Sequence, residues 1–407
     1  MNKKQKGLRF LTRNGFLLTA LLILAGYFTI SGCSRYYYPA RTQQPQQQPR
    51  PQPGAQQPVQ RPVTRPPVQH PSRPVKPRPP VKPRPPVRTT PPRQPSPVAQ
   101  GRGSYMAYPA MQQLIGRMTG KGFSRNYLNR LFSGIERDNT ILAKVKSPAE
   151  AKPWRSYRPI FLTEQRIQSG VGFWRRYEGA LNAATQRFGV DPEYIVAIIG
   201  VETLYGRNTG KYNVLRSLTT LAMDFPKRSK FYTSELEQFL QLSREEKLNN
   251  PASLKGSYAG AMGMGQFISS SYRNFAVDFN GDKHRDLWHP VDAIGSVANY
   301  FSRHGWKRGG DVAVPARITG TSYARIAHTE AKKPIYSLRQ LAQYGVTPAQ
   351  PIRSTRVDLL RLIGTRSDEY WVTGDNFYTI TRYNHSPKYA MAVHQLAQEI
   401  KRRKTAK

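Results

Sequence analysis

Between Ser34 and Ser104 the chain carries thirteen Arg or Lys, no Asp or Glu, and twenty-one prolines from Pro39 to Pro97. The hexapeptide KPRPPV occurs twice in tandem, at 76–81 and 82–87. Few of these residues could pack a core, so the stretch reads as a disordered, polyproline-II-biased tether. At ~3.1 Å per residue, about 60 such residues reach at most roughly 190 Å. A folded unit is therefore confined to the part of the 407-residue chain that follows Tyr105, where aromatic, aliphatic and acidic residues return and Glu136 is the first acid.

Ahead of the tether, Lys3, Lys4, Lys6, Arg9 and Arg13 precede an apolar run from Phe16 to Ile30. That is the layout of a secretory signal, and the run is short for a membrane span. Ile30-Ser31-Gly32-Cys33 resembles the lipobox of bacterial lipoproteins. Cys33 is the single cysteine of the chain, so it has no internal disulfide partner. The expectation is a signal peptide over 1–32, lipidation at Cys33, and a tether over 33–104. An uncleaved N-terminal anchor helix is the competing reading. Ser34 after the cysteine favours an outer-membrane lipoprotein facing the periplasm.

Five basic residues lie before the tether and thirteen within it, leaving 45 of the 63 against all 24 acids in the remainder. An excess of that size invites nucleic acid as a partner. The chain has no zinc spacing, basic zipper or RNA-binding signature, and an anionic cell envelope is the better counterpart for an exported protein.

Helical apolar spacing runs through 106–190, 231–248 and the segments SSSYRNFAV, PVDAIGSVANYFSRHGW and PKYAMAVHQLAQEIKRR, the last over 387–403. The stretches DVAVPARI and EYWVTGDNFYTITRYN alternate as strands do, with Gly374-Asp375-Asn376 as a turn. The most telling helix is 191–205. Asp191 suits an N-cap and Pro192 the first helical position. Ile195, Ile198, Ile199 and Glu202 then share one face of a helix that is apolar nearly all round. A carboxyl on the inward stripe of a core helix is costly unless paired or protonated. Either a salt bridge or proton transfer accounts for Glu202.

The loop DFNGDKHRDLWHPVD, from Asp278 to Asp292, holds four of the 24 acids. Asp278, Asn280 and Asp282 occupy positions 1, 3 and 5 of an EF-hand-type loop. Lys283 stands where glycine is usual, and the closing acid is Asp292 rather than a glutamate at position 12. An Asx-rich turn is the rival reading. In GSYAGAMGMGQF (256–267), glycines permit close backbone approach and Gln266 offers an amide to a ligand, although helix packing explains the glycines equally well.

Taken in order, VETLYGRNTG, LKGSYAGAMGMGQFISSSY, DFNGDKHRDLWHPVDAIGSVANYF and ITRYNHSPKYAMAV closely resemble the membrane-bound lytic murein transglycosylase B family over roughly 106–400. The resemblance implies a mainly α (α+β) fold. Its parts would be an N-terminal α region (105–190), a lysozyme-like core with an EF-hand-like loop (191–309), a small β-containing insertion (310–380), and a C-terminal core helix and tail (381–407). It implies cleavage of peptidoglycan between N-acetylmuramic acid and N-acetylglucosamine, leaving a 1,6-anhydro end. Carried over by motif, Glu202 is the acid/base, and Ser257, Gln266, Tyr300, Tyr383, Asn384 and Tyr389 are cleft residues. Ordinary packing competes for Tyr300. Asp278, Asn280, Asp282, the backbone of His284, and Asp292 would hold a structural Ca2+; the chemistry itself requires no cofactor. His289 replaces the acid of the family's LWDP and is not a carried-over ligand. The implied partners are peptidoglycan and, through the lipid, the outer membrane. The protein is expected to be a monomer, with cell-wall synthesis or scaffold proteins as candidate partners.

Most glycosidases use two carboxylates. Here Glu202 is the one acid in a strongly apolar helical setting, whereas Asp224 and Glu235 sit where surface pairing is the default. The sequence thus suits one acid acting twice: protonating the leaving oxygen, then taking the proton of the sugar's own C6 hydroxyl. A lysozyme-type hydrolase and a non-catalytic peptidoglycan-binding lipoprotein are the alternatives.

Overall fold

The computed structural model describes residues 104–146, 152–248, 250–364 and 366–406. Cys33, the signal and the tether lie outside the described residues. Six helices open the folded part: α1 (Pro109–Gly120), α2 (Arg125–Ser133), α3 (Asn139–Val145), α4 (Trp154–Phe161), α5 (Glu164–Arg176) and α6 (Glu178–Phe188). Local chemistry sets their ends. Pro109 starts α1, Asp138 caps α3 by accepting from the Thr140 and Ile141 amides, and Gly189 in the left-handed region (φ 73°) stops α6.

Helix α7 (Pro192–Thr203) follows, with every residue from Glu193 to Thr203 buried. It packs against α5, α6, α11 (Pro290–Arg303) and α14 (Pro387–Thr405). Its cap differs from the expectation. Asp191 makes no side-chain cap bond; Asp191 Oδ2 instead accepts from the Trp306 indole N–H at 3.2 Å. Between α7 and α11 lie β1 (Tyr212–Asn213), α8 (Val214–Asp224), α9 (Ser229–Glu245), β2 (Lys255–Gly256) and α10 (Ser269–Phe275). Strands β1 and β2 pair antiparallel, Tyr212 opposite Gly256.

The segment after α11 forms a four-stranded antiparallel sheet in the order β4-β3-β6-β5. Its strands are β3 (Ala313–Ile318), β4 (Val346–Pro348), β5 (Asp358–Leu362) and β6 (Glu369–Thr373), with α12 (Leu338–Gln343) before β4. It has a small core of its own, built on Val314, Ile326, Leu341, Val346, Val357, Leu359 and Val372. His394 of α14, held by Tyr194 and Gln398, ties its first strand to the main core. Gln398 Nε2 donates to the Tyr194 hydroxyl (3.1 Å), and that hydroxyl meets His394 Nδ1 at 2.9 Å. Burial pushes the His394 imidazole down to about 4, against the opposing pull of a hydrogen bond with the backbone of Ala313 at the start of β3.

One sequence expectation fails here. The residues read as a turn and second strand after Thr373 form α13 (Asp375–Tyr383), entered from Gly374. Asn376, Phe377, Thr379, Ile380 and Thr381 are all buried. A helix enclosed on several sides satisfies an alternating pattern as well as a strand does. Phe377 and Ile380 join the main core rather than the sheet's.

Candidate active site

Helix α7 carries Glu202 in its last turn and then stops. Leu204 (φ 51°), Tyr205 (φ 60°) and Gly206 (φ 85°) are consecutive left-handed residues. For Leu and Tyr this costs about 1 kcal/mol or more each, so the surroundings must hold them. They do: the Tyr205 hydroxyl donates to the Arg166 carbonyl at 2.9 Å, Thr203 Oγ1 donates to the Met264 carbonyl at 2.9 Å, and Gly206 N donates to Thr203 Oγ1 at 3.0 Å. Arg166 is itself buried, and its guanidinium donates to the carbonyls of Gly200 and Ile160. Nothing in the sequence marked this residue, because an arginine in an amphipathic helix ordinarily faces water.

Glu202 is 7 % exposed. The Tyr389 hydroxyl donates to Glu202 Oε1 at 2.6 Å. Tyr389 stands in the first turn of α14, where Ser386 Oγ accepts from its amide (3.3 Å) as the cap. Burial, then the charge of Glu202, pushes the Tyr389 phenol well above its ordinary range, so it remains a donor. Tyr383, at the end of α13, is raised for the same two reasons. Its hydroxyl donates to the Gly265 carbonyl. Asn384 Oδ1 accepts from Ser386 N (3.0 Å) and shapes the corner between α13 and α14.

Gln266 is buried with φ 52°. Its Nε2 donates to the carbonyls of Thr209 (3.0 Å) and Gly263 (2.8 Å). Its Oε1 is buried and has no hydrogen-bond partner among the described residues. A strained backbone that presents an unsatisfied oxygen is the mark of a ligand contact. The chain holding it is tightly fitted: a Cβ on Gly210 (φ 106°) would lie 2.1 Å from the carbonyl carbon of Gly256.

Two expected cleft residues are engaged in packing. Ser257 is fully buried, and its Oγ accepts from the amides of Ala259 (3.2 Å) and Ala261 (2.9 Å), closing its own turn. The Tyr300 hydroxyl donates to the Arg382 carbonyl at 2.6 Å, and its ring is enclosed by Phe267, Phe275, Tyr383 and His304. Glu235, expected at the surface, is buried and accepts from Ser270 N at 2.9 Å.

In the loop between α10 and α11, carboxylate oxygens of Asp278, Asp282 and Asp292 lie within 4.8 Å of one another. Backbone amides organise them. Asp278 accepts from Gly281 and Lys283, Asp282 from His284, and the fully buried Asp292 from Phe279, Asn280 and Asp286. Lys283 takes φ 73°, so it adopts the backbone shape for which glycine is usual. Three converging carboxylates of this kind suit a hard cation.

The Transglycosylase SLT domain model matches residues 107–398. The chain belongs to this transglycosylase family. It is 46% identical over 315 residues to the membrane-bound lytic murein transglycosylase B of Escherichia coli, covering 74% of this chain and 86% of that protein. Among solved structures, the transglycosylase is similar to E. coli Slt35 in complex with calcium, with a TM-score of 0.69 and 46% identity over 75% of this chain and 96% of that one. It is similar also to SltB3 of Pseudomonas aeruginosa in complex with NAG-anhNAM-pentapeptide, with a TM-score of 0.64 and 31% identity over 72% and 78% of the two chains. The mainly α, lysozyme-like architecture expected from the sequence is the fold of this group.

Proposed function

We propose that this lytic transglycosylase cleaves the β-1,4 bond between N-acetylmuramic acid and N-acetylglucosamine of peptidoglycan, with Glu202 as acid and then base. The observation that carries this reading is the fate of the buried acids. Five carboxyl residues are buried among the described residues: Glu193, Glu202, Glu235, Asp292 and Asp358. Glu193 pairs with Lys401, Glu235 holds a helix amide, Asp292 organises the acidic loop and Asp358 lies in the small sheet. Glu202 alone sits beside the tyrosines of α13 and α14. Among the described residues no second buried carboxyl stands beside Glu202, as a two-carboxylate mechanism would suggest, and a single proton carrier suffices if the sugar's C6 hydroxyl is the nucleophile. Glu202 protonates the departing oxygen, the acetamido group steadies the developing cation, and the carboxylate then takes the C6 hydroxyl proton as that oxygen closes on C1. Tyr389 orients the carboxyl. Gln266 Oε1 accepts from an N–H or O–H of the sugar, while Tyr383 and Asn384 shape the wall. The anhydro sugar and peptide bound by SltB3 support this product and substrate class. Digestion of purified sacculi tests it. Anhydro ends, lighter by one water than hydrolytic ends, are expected, and reducing ends would establish a hydrolase instead.

The same reading gives a structural Ca2+ to Asp278, Asn280, Asp282, the His284 carbonyl and Asp292, supported by the calcium complex of Slt35. Bound there, it would neutralise crowded carboxylates and fasten α10 to α11; the chain chemistry passes through Glu202. The E. coli relative is membrane-bound by name, and no helix among the described residues is long and apolar enough to cross a membrane. Attachment through a lipid on Cys33 is proposed from the lipobox-like Ile30-Ser31-Gly32-Cys33. Membrane fractionation of Cys33→Ser checks this.

A further inference from the structure

A cavity of about 560 Å³ opens between the α2–α3 corner and the start of α8. Arg130, Lys211 and Arg216 line it, and all three are exposed. None of them is ion-paired among the described residues. Asp138 is the one acid in the lining, and its Oδ1 caps α3. Arg216 lies in the first turn of α8, where the helix dipole favours a negative charge and disfavours a cation. Three cations and the α8 N-terminus stand against the Asp138 carboxylate, which Arg216 stabilises, and the C-terminal end of α2, so the concave site is positive on balance.

One short stretch of chain links the cavity to a residue of the proposed cleft. Gln266 Nε2 grips the carbonyl of Thr209, and Lys211, two residues later, lines the basic cavity with Tyr212 beside it. Two extended residues span about 7 Å. An acidic peptide arm of three to five residues, branching from the muramic sugar, reaches at most about 10–17 Å. Resting on the cleavage reading above, we propose that this cavity is a subsite for the carboxylates of the glycan's peptide arm, with Arg130, Lys211 and Arg216 as specificity residues.

The test compares three substrates: peptide-bearing strands, strands stripped of peptide by an amidase, and strands whose peptide carboxylates are amidated. The wild-type enzyme should show a KM roughly tenfold lower on the first than on the other two, since three solvent-exposed charge contacts are worth about two- to fivefold each at most. That preference should shrink as salt rises. The variant Arg130→Gln/Lys211→Gln/Arg216→Gln should lose it, with kcat and the KM on stripped strands unchanged. Lys211→Gln alone should lose part of it. A wild-type enzyme without preference, or a folded triple variant that keeps it, overturns the proposal. Glu202→Gln, run in parallel, reports separately on cleavage. If it turns over all three substrates, the catalytic assignment fails while the KM ratios still decide the subsite.

Discussion

Glu202 and Asp358 are both buried carboxyls, 7 % and 2 % exposed, yet their environments are opposite. Glu202 receives a 2.6 Å hydrogen bond from a tyrosine whose own ionisation is suppressed. Asp358 opens strand β5 with Oδ1 buried and unpartnered among the described residues. Burial pushes its carboxyl up to about 6, against smaller opposing effects of the Leu359 amide and Lys332. Burial alone therefore does not mark a working acid. What separates the two is a tyrosine hydroxyl that donates to Glu202, the contact on which its proposed role rests, whereas Asp358 Oδ1 has no such donor among the described residues. The acidic loop is a third environment, where crowded carboxylates are organised by amides and suit a cation.

The comparison is broken most directly at Glu202. Glu202→Gln keeps the shape and removes the transferable proton. Anhydro-muropeptide release should fall at least 10²–10⁴-fold, the usual worth of general acid catalysis, while the melting temperature holds or rises. A folded variant with near wild-type release would falsify the catalytic role. Next in size is the loop. If free calcium stands a hundredfold above its Kd, chelation should lower stability by about 2.7 kcal/mol. Calcium should stabilise more than magnesium does, and Asp282→Ala should abolish the difference. Identical melting curves with calcium and with chelator would exclude bound Ca2+.

Asp358→Asn should have the opposite sign. With a folded value of about 6 and an unfolded value of about 3.9, the acid is neutral in both states only well below pH 4. As pH rises towards 6 the unfolded chain ionises first and stability is lost, in full above the folded value. The asparagine variant should gain about 2–3 kcal/mol above pH 6 and nothing well below pH 4; denaturant titration across pH 2.5–8 reads this. An unchanged profile means that the group is better solvated than its burial indicates. The smallest effect is expected at Tyr389→Phe, which removes one donor from Glu202. Turnover should drop about tenfold, with the pH–rate profile displaced because the carboxyl loses a fixed partner. An unmoved profile makes Tyr389 a packing residue.

How much of this was legible beforehand varies with the physics. Helix α7 was readable because Pro192 and the spacing of Ile195, Ile198, Ile199 and Glu202 all say helix. Helix α13 was not. Phe377, Thr379 and Thr381 alternate like a strand, and the Gly374-Asp375-Asn376 signal is a helix entry rather than a turn. Tyr383, Asn384 and Tyr389 came from the family resemblance, since no spacing argument reaches from 202 to 389. Residue type did not reveal that the hydroxyls of Ser257 and Tyr300 serve the backbone, because hydrogen-bond direction is settled only by tertiary contact. The basic cavity was hidden for the same reason: Arg130 and Lys211 are far apart in the chain and meet only in the fold.

The burial of α7 on all sides bears on how turnover proceeds. A rod enclosed by four helices, pinned at one end through Tyr194 and His394 and at the other by the Leu204–Gly206 reversal, can neither rotate nor slide. Glu202 is thus a fixed tool post. The glycan must be brought to it, and the mobile part of the machine is its workpiece. Free and glycan-bound forms should accordingly superimpose on α7, and slow steps should track strand length and cross-linking rather than any displacement of the acid.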